Sequence, residues 1–419
     1  MGILRTIVDQ PDEFSPLVQM AWAAHKAKRL PKDPNLAFCY DMLNRVSRSF
    51  AIVIQQLPAE LRDPVCIFYL VLRALDTVED DMAIDPSEKL PILHDFYQKI
   101  YDRQFKYQCG YGAYIRLMNQ YPRVTDVFLR LNPKYQQVIA DITRRMGDGM
   151  AKYIQQEVTT ISDYDEYCHF VAGLVGVGLS QLFASSGLET ADFANMEELS
   201  NHMGLFLQKT NIIRDFLEDI EEEPAPRMFW PKEIWGLYAD SLADFKEPRN
   251  AKQAVQCLNH MVTNALRHAP MCLKYMEQVK NEQNFRFCAI PQVMAVGTLA
   301  LCFNNHKVFT GVVKMRRGQV ATFMLQVRTM KDVYQIFHQF ATTISLKCEA
   351  ADRELKPSGL NLSETWQASC NLQEMCAQGL GRSTADLIKS RQSQAVLAGR
   401  LMFVMVALLI LIVAYLLKS

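Results

Sequence analysis

The chain lacks any excess of charge: 45 Lys and Arg stand against 45 Asp and Glu in 419 residues. A nucleic-acid binder would show a basic surplus or stripe, so no nucleic-acid partner is expected. It lacks CxxC pairs, although it has 11 cysteines, an odd number. That speaks against a zinc ribbon and against a secreted disulfide framework, and for free thiols in a reducing compartment. No signal peptide is expected: residues 1–20 are mixed and acidic, with no basic segment leading into an apolar run. Strand signals are scarce. Asp148-Gly149 is the one strong hairpin dipeptide, and no alternating run flanks it. No repeat at a fixed period stands out. What the chain does have is apolar side chains, 49% of the total, which excludes a largely disordered protein.

Helical patterns dominate, and the expected class is all-α. Long helices are predicted over residues 61–82, 125–156, 164–185, 197–220 and 291–304. Stretches such as Cys66-Ile-Phe-Tyr-Leu-Val-Leu72 are apolar nearly all round, as helices inside a bundle are. Breaks are expected at Pro86, Pro122, Pro133, the segment 223–226, Pro248 and Pro270.

One run differs in kind. Leu401 to Leu417 is 17 consecutive apolar residues, with Lys389, Arg391 and Arg400 ahead of it. As a helix it spans roughly 25 Å, close to the hydrocarbon thickness of about 27 Å in an endoplasmic-reticulum bilayer. It reads as a tail anchor with the body in the cytosol; the mitochondrial outer membrane is the competing address. The sequence divides into a helical body over 1–354, a polar stalk over 355–394 and an anchor over 395–419.

Two acidic segments end apolar helices. In Leu75-Asp-Thr-Val-Glu-Asp-Asp81, Asp76, Glu79 and Asp80 are spaced i, i+3, i+4 and share a face. In the segment 211–219, Asn211, Asp215 and Asp219 are spaced i, i+4, i+8 and share another. Like charges at this spacing weaken a helix, and the C-terminal end of the macrodipole disfavours anions. A solvated acidic face is the plain explanation for either cluster alone. Both helices are core-like, however, and an acidic patch at the mouth of an apolar bundle calls for counter-charge. Magnesium fits, because it takes a few carboxylates together with substrate phosphates.

Cations accompany the acids: Arg48 in Ser47-Arg-Ser-Phe50, Arg73 three residues before Asp76, Arg214 beside Asp215, and Arg227 after the Pro224/Pro226 loop. Each has an ordinary surface salt bridge as its alternative, but guanidinium forks also match phosphate oxygens. Tyr69 lies two turns before Asp76, and Tyr167 precedes a stretch with Gly173, Gly176 and Gly178. These glycines do not have the spacing of a dinucleotide-binding fingerprint. They permit close helix approach, or leave room for a flat hydrocarbon. Metal ions and arginines around an apolar, aromatic cavity suit the ionisation of an allylic diphosphate.

The segments 46–50, 63–81, 167–180, 204–215 and 288–295 together resemble the squalene synthases, farnesyl-diphosphate farnesyltransferases of the head-to-head prenyl synthase family. The loop 224–230 resembles the plant and green-algal branch. The resemblance runs from about residue 38 to 325. It implies an isoprenoid-synthase helical bundle with a central cavity, a C-terminal transmembrane helix, and a monomer on the endoplasmic-reticulum membrane. It implies condensation of two farnesyl diphosphates to presqualene diphosphate, then NADPH-dependent reductive rearrangement to squalene, the first committed step to sterols. By position, Asp76, Glu79, Asp80, Asp215 and Asp219 correspond to the acids that bind Mg2+. Arg48, Arg73, Arg214 and Arg227 correspond to diphosphate contacts. Tyr167 corresponds to the tyrosine that handles the proton lost in the first half-reaction, with Tyr69 as a further catalytic aromatic. Phe287 corresponds to an aromatic of the second half-reaction. Asn211, Lys314 and Arg316 correspond to NADPH-phosphate contacts, the last two on a basic flap over 311–320 expected to be mobile. Asn284-Phe-Arg-Phe287 departs from the animal pattern at Arg286, a change that alters the late cavity if the side chain faces inward.

Overall fold

Helix starts in this chain are written by a polar residue followed by proline. In the computed structural model Asp33, Asp85 and Asn132 each accept a hydrogen bond from a backbone N–H of the helix they precede, with Pro34, Pro86 and Pro133 in the first turn. Proline is at home there, since its missing N–H would have no partner. Thr160 and Asp163 form a reciprocal capping box. The structure describes residues 10–27, 30–47, 50–223, 225–355 and 362–387. Among these every regular element is helical.

The principal helices are α1 (Pro34–Val46), α2 (Ala59–Asp80), α3 (Pro86–Lys99), α4 (Pro133–Gln155), α5 (Ile161–Ser185), α6 (Glu197–Arg214), α7 (Ala251–Leu266), α8 (Glu282–Cys302), α9 (Met330–Leu355) and α10 (Leu362–Gly379). Three of the predicted helices shift, and the hairpin dipeptide is helical. The one expected over 125–156 is two, because Pro133 starts its own helix after Tyr121–Arg130. Asp148-Gly149 is inside α4, where Gly149 leaves space for the Phe170 ring. The helix expected over 197–220 breaks at Asp215, with Phe216–Ile220 following. The one expected from Pro291 begins at Glu282, capped by Asn281, and carries Pro291 in its interior.

The glycines near Tyr167 serve close approach. A Cβ on Gly176 would lie 2.3 Å from the Ser200 carbonyl oxygen, and one on Gly204 would lie 2.2 Å from that of Ala172. Helices α5 and α6 therefore touch backbone to backbone. Within α5 the turn His169–Gly173 widens, with the N–H of Leu174 donating to the carbonyl of His169 five residues back. By length and composition α5 and α8 could each cross a membrane, but the apolar window of α8 is 78% buried inside the bundle.

Part of the stretch read as a stalk belongs to the body. Helix α10 packs antiparallel on α9: Gln373 Nε2 donates to Ser345 Oγ at 3.0 Å, and Leu372, Cys376 and Ala377 are buried. Its polarity is the solvent side of a helix whose other side is core. The anchor expected over 395–419 is outside the described residues, as are Arg48 and Pro224. All 11 cysteines are free thiols, and all but Cys370 are buried.

Candidate active site

Helix α2 brings Tyr69, Arg73, Asp76, Glu79 and Asp80 to one end of the bundle. The Tyr69 hydroxyl donates to the Val46 carbonyl at 3.2 Å, and Arg73 stands 5.7 Å over the Tyr69 ring and 6.0 Å over that of Tyr114. Arg73 is 3.4 Å from Asp76. Asp81, the next acid, is spent locally: it accepts from the N–H of Ala83 at 2.9 Å and of Gly110 at 2.7 Å. That separates it from the three acids on the inner face.

Arg227 ties the two acidic ends together. Its guanidinium donates to Glu79 at 2.9 Å and to Asp80, and its backbone N–H donates to the Asp219 carbonyl at 3.0 Å. Its side chain is only 17% exposed. Lys89 closes the same corner, its ammonium donating to the Glu79 carbonyl at 2.9 Å. On α6, Arg214 grips Asp215 with two hydrogen bonds, one of 2.7 Å from Nε.

The counter-charge is incomplete. Burial pushes the Glu79 carboxyl up to about 8, with Asp80 adding to the rise and Arg227 opposing it. Burial lifts Asp76 to about 6 against the pull of Arg73. Burial and then Asp215 raise Asp219 to about 7. Among the described residues no three His, Cys, Asp or Glu side chains are gathered around one metal position. Buried carboxyls short of cations, presenting hard oxygen donors, nonetheless fit a divalent ion that shares its coordination with phosphates.

Tyr167 is buried beside this corner. Its ring stacks on Phe229 (4.1 Å, 8°) and meets Tyr153 edge-on at 5.4 Å. Burial and then the Glu79 charge hold its hydroxyl far above the usual phenol range, so it remains a protonated phenol. The sequence reading missed Phe229 and Tyr114. Phe229 lies inside the loop 224–230 and Tyr114 outside every segment singled out; a lone aromatic carries no spacing signal.

A cavity of about 390 Å³ adjoins these groups, lined by Tyr69, Arg73, Asn211 and Arg214 with Tyr114, Met294 and other side chains of α6 and α8. A second, of about 790 Å³, has Phe287, Arg286, Arg62 and Arg328 on its wall. Val53 lines both. Arg286 therefore faces inward, with Nη2 donating to the Met324 carbonyl at 2.9 Å.

The three residues expected to contact NADPH take different positions. Asn211 lines the first cavity, whereas Lys314 and Arg316 are exposed and line neither. Arg316 is bound by Glu13, Nη2 to Oε1 at 2.7 Å. The flap is held by the N-terminal segment, whose helix Phe14–Ala27 packs on the helix Arg317–Gln326.

Comparison with known proteins gives matches along most of the chain. Residues 43–319 match the squalene/phytoene synthase family. Squalene synthase LSS of Botryococcus braunii is 57% identical over 94% of this chain and 84% of its own length. Squalene synthase 1 of Arabidopsis thaliana is 55% identical over 88% of this chain and 90% of its own. A solved structure of TcSQS with a bound ligand is 44% identical and superposes with a TM-score of 0.79, covering 83% of this chain and 99% of that one.

Proposed function

The chain belongs to the squalene/phytoene synthase family, and from that premise we propose that it is a farnesyl-diphosphate farnesyltransferase that makes squalene. The observation that carries the reading is the Arg227 corner, where two acidic helix ends meet beside a cavity walled by Tyr69, Arg73 and Arg214 together with apolar side chains such as Met294 and Ile290.

Two farnesyl diphosphates join head to head as presqualene diphosphate, which then ionises, rearranges and is reduced. Arg73 and Arg214 line the cavity and are positioned to receive diphosphate oxygens. Asp76, Glu79, Asp80, Asp215 and Asp219 would hold Mg2+, which when bound supplies positive charge to the departing diphosphate. Arg227 keeps the two acid sets in register and shares their charge. The Tyr69 and Tyr114 rings offer π faces to a developing cation, and the apolar wall excludes water from it. Tyr167, a phenol, handles the proton lost in the first step in partnership with a base; Glu79, whose charge acts on it, is at hand. Phe287 serves the second half-reaction from the adjoining cavity, in edge contact with Phe183 at 6.0 Å.

NADPH when bound supplies hydride. Asn211, Lys314 and Arg316 carry donors of the type its phosphates need, and Arg316 must exchange Glu13 for a phosphate oxygen to take part. The enzyme is taken to act as a monomer. The apolar run 401–417 holds the enzyme on the endoplasmic-reticulum membrane with its body in the cytosol. The body then extends to Leu387, and the polar linker is the shorter segment after it.

The test is diphosphate release from farnesyl diphosphate during a magnesium titration of the wild type and of Asp80→Ala. The variant should stay folded, need more magnesium, and lose at least about 100-fold in turnover. Unchanged magnesium dependence would remove the acidic ends from the site.

A further inference from the structure

The second cavity lies between the helix Phe14–Ala27, the short helix Phe50–Gln55 and the starts of α2 and α8, and it carries three guanidiniums. Their protein partners are uncharged. Arg62 donates to the Leu57 carbonyl at 3.2 Å, Arg286 to that of Met324 at 2.9 Å, and Arg328 to that of Leu325 at 3.4 Å. The Nε groups of Arg62 and Arg286 are buried with no acceptor. The one acid on the wall, Asp63, accepts from the Tyr40 hydroxyl at 2.6 Å. Burial and then the charge of Arg328 hold the Arg286 guanidinium below its usual value, so two of the three cations already repel one another. Guanidiniums with unmade hydrogen bonds, gathered in one cavity, are built for an anion with several oxygens.

A second observation says what kind of anion. Phe14, Val18 and Trp22, spaced i, i+4, i+8, are 42%, 53% and 69% exposed, and Leu30 and Phe50 add exposed apolar surface. Trp22 belongs to this stripe and to the cavity wall alike. A soluble phosphate would use the arginines and leave the stripe in water, and a second copy of the chain would do the reverse. A phosphate that carries hydrocarbon at a bilayer surface uses both, as interfacial helices with an apolar face and nearby cations do. The bilayer is within reach: the 13 residues between Leu387 and the apolar run at Leu401 can span about 45 Å.

We propose that this cavity and the adjoining stripe form a docking site for an anionic phospholipid, with the phosphate against Arg62, Arg286 and Arg328 and the acyl region along Phe14, Val18 and Trp22. Docked in this way, the cavity that carries Phe287 opens toward the bilayer. The site depends on the membrane reading of residues 401–417 and shares its wall with the cavity that carries Phe287, but lipid binding does not require turnover. A chain that makes no squalene could still show it.

Full-length protein, reconstituted in vesicles of brominated phosphatidylcholine with and without phosphatidylserine, tests the site through tryptophan emission. Quenching should be stronger with phosphatidylserine, be lost in Trp22→Phe, and persist in Trp366→Phe. In Arg286→Gln and Arg328→Gln the phosphatidylserine needed for half-quenching should rise about fivefold each. Melting temperatures of the lipid-free variants in neutral detergent check that they fold. Emission quenched equally in the wild type and in Trp22→Phe would overturn the proposal, as would quenching indifferent to phosphatidylserine and to both arginine substitutions. Stabilisation of the detergent-solubilised chain by inorganic pyrophosphate, without lipid-dependent quenching, would assign the arginines to a soluble phosphate. A dimer abolished by Val18→Asp, again without quenching, would assign the stripe to a second copy. Either result overturns the lipid site.

Discussion

Three carboxyls here carry folded-state values raised above the unfolded range of about 4: Asp76 near 6, Asp219 near 7 and Glu79 near 8. A raised carboxyl contributes stability that is fully present below its unfolded value and is lost as pH rises through the folded one. The metal-free protein should therefore lose stability from these groups between about pH 4 and pH 8. Magnesium needs the ionised forms, so it should raise the melting temperature more at about pH 8.5 than at about pH 5.5. Scanning fluorimetry with magnesium and with a chelator, at both pH values, checks this; a metal increment independent of pH would contradict it. Arg227 supplies a second test. Arg227→Gln leaves Glu79 buried without its cation, which should cost about 3 kcal/mol in urea unfolding of the metal-free protein at about pH 8.5, where Glu79 is ionised in the wild type, and less at about pH 6. Magnesium should recover part of that loss if it sits among the same oxygens.

At the scale of elements, the contact of α5 with α6 is set by Gly176 and Gly204. Gly204→Ala places a methyl against the Ala172–Gly173 backbone, so the helices must separate. A loss of about 1–3 kcal/mol is expected by chemical denaturation. Gly311→Ala, whose new methyl would meet only the Lys307 side chain at ordinary contact distance, should stay within about 0.5 kcal/mol. Equal effects at the two positions would remove the close-approach account. These same elements show what the sequence reveals and what it conceals. The helices and the acid spacing on α2 were legible, because a 3.6-residue period is local; that the helix carrying Asn211 ends at Asp215, leaving Asp219 on the next one, was not. The break at Pro133 was legible as well; that Pro291 sits inside a helix and not at its start was not, because tertiary packing decides whether a helix continues through proline. The inner face of polar α10 was likewise hidden until α9 covered it.

Across the whole molecule, the site is an assembly of distant segments. Arg227 reaches residues nearly 150 positions earlier, and Glu13 reaches Arg316 across 303 positions. No spacing rule relates such pairs. This is why the acids could be picked from the sequence while the arginine that joins them had only an ordinary salt bridge as its alternative reading. Two cavities that share Val53 suit two successive reactions, with diphosphate loss at one end and the reductive step at the other. The most direct measurement is product analysis of the full-length chain in neutral detergent with magnesium and farnesyl diphosphate, with and without NADPH. The account predicts squalene only with NADPH, and presqualene diphosphate accumulating without it. Folded protein that yields neither product, or yields presqualene diphosphate alone under both conditions, would contradict it.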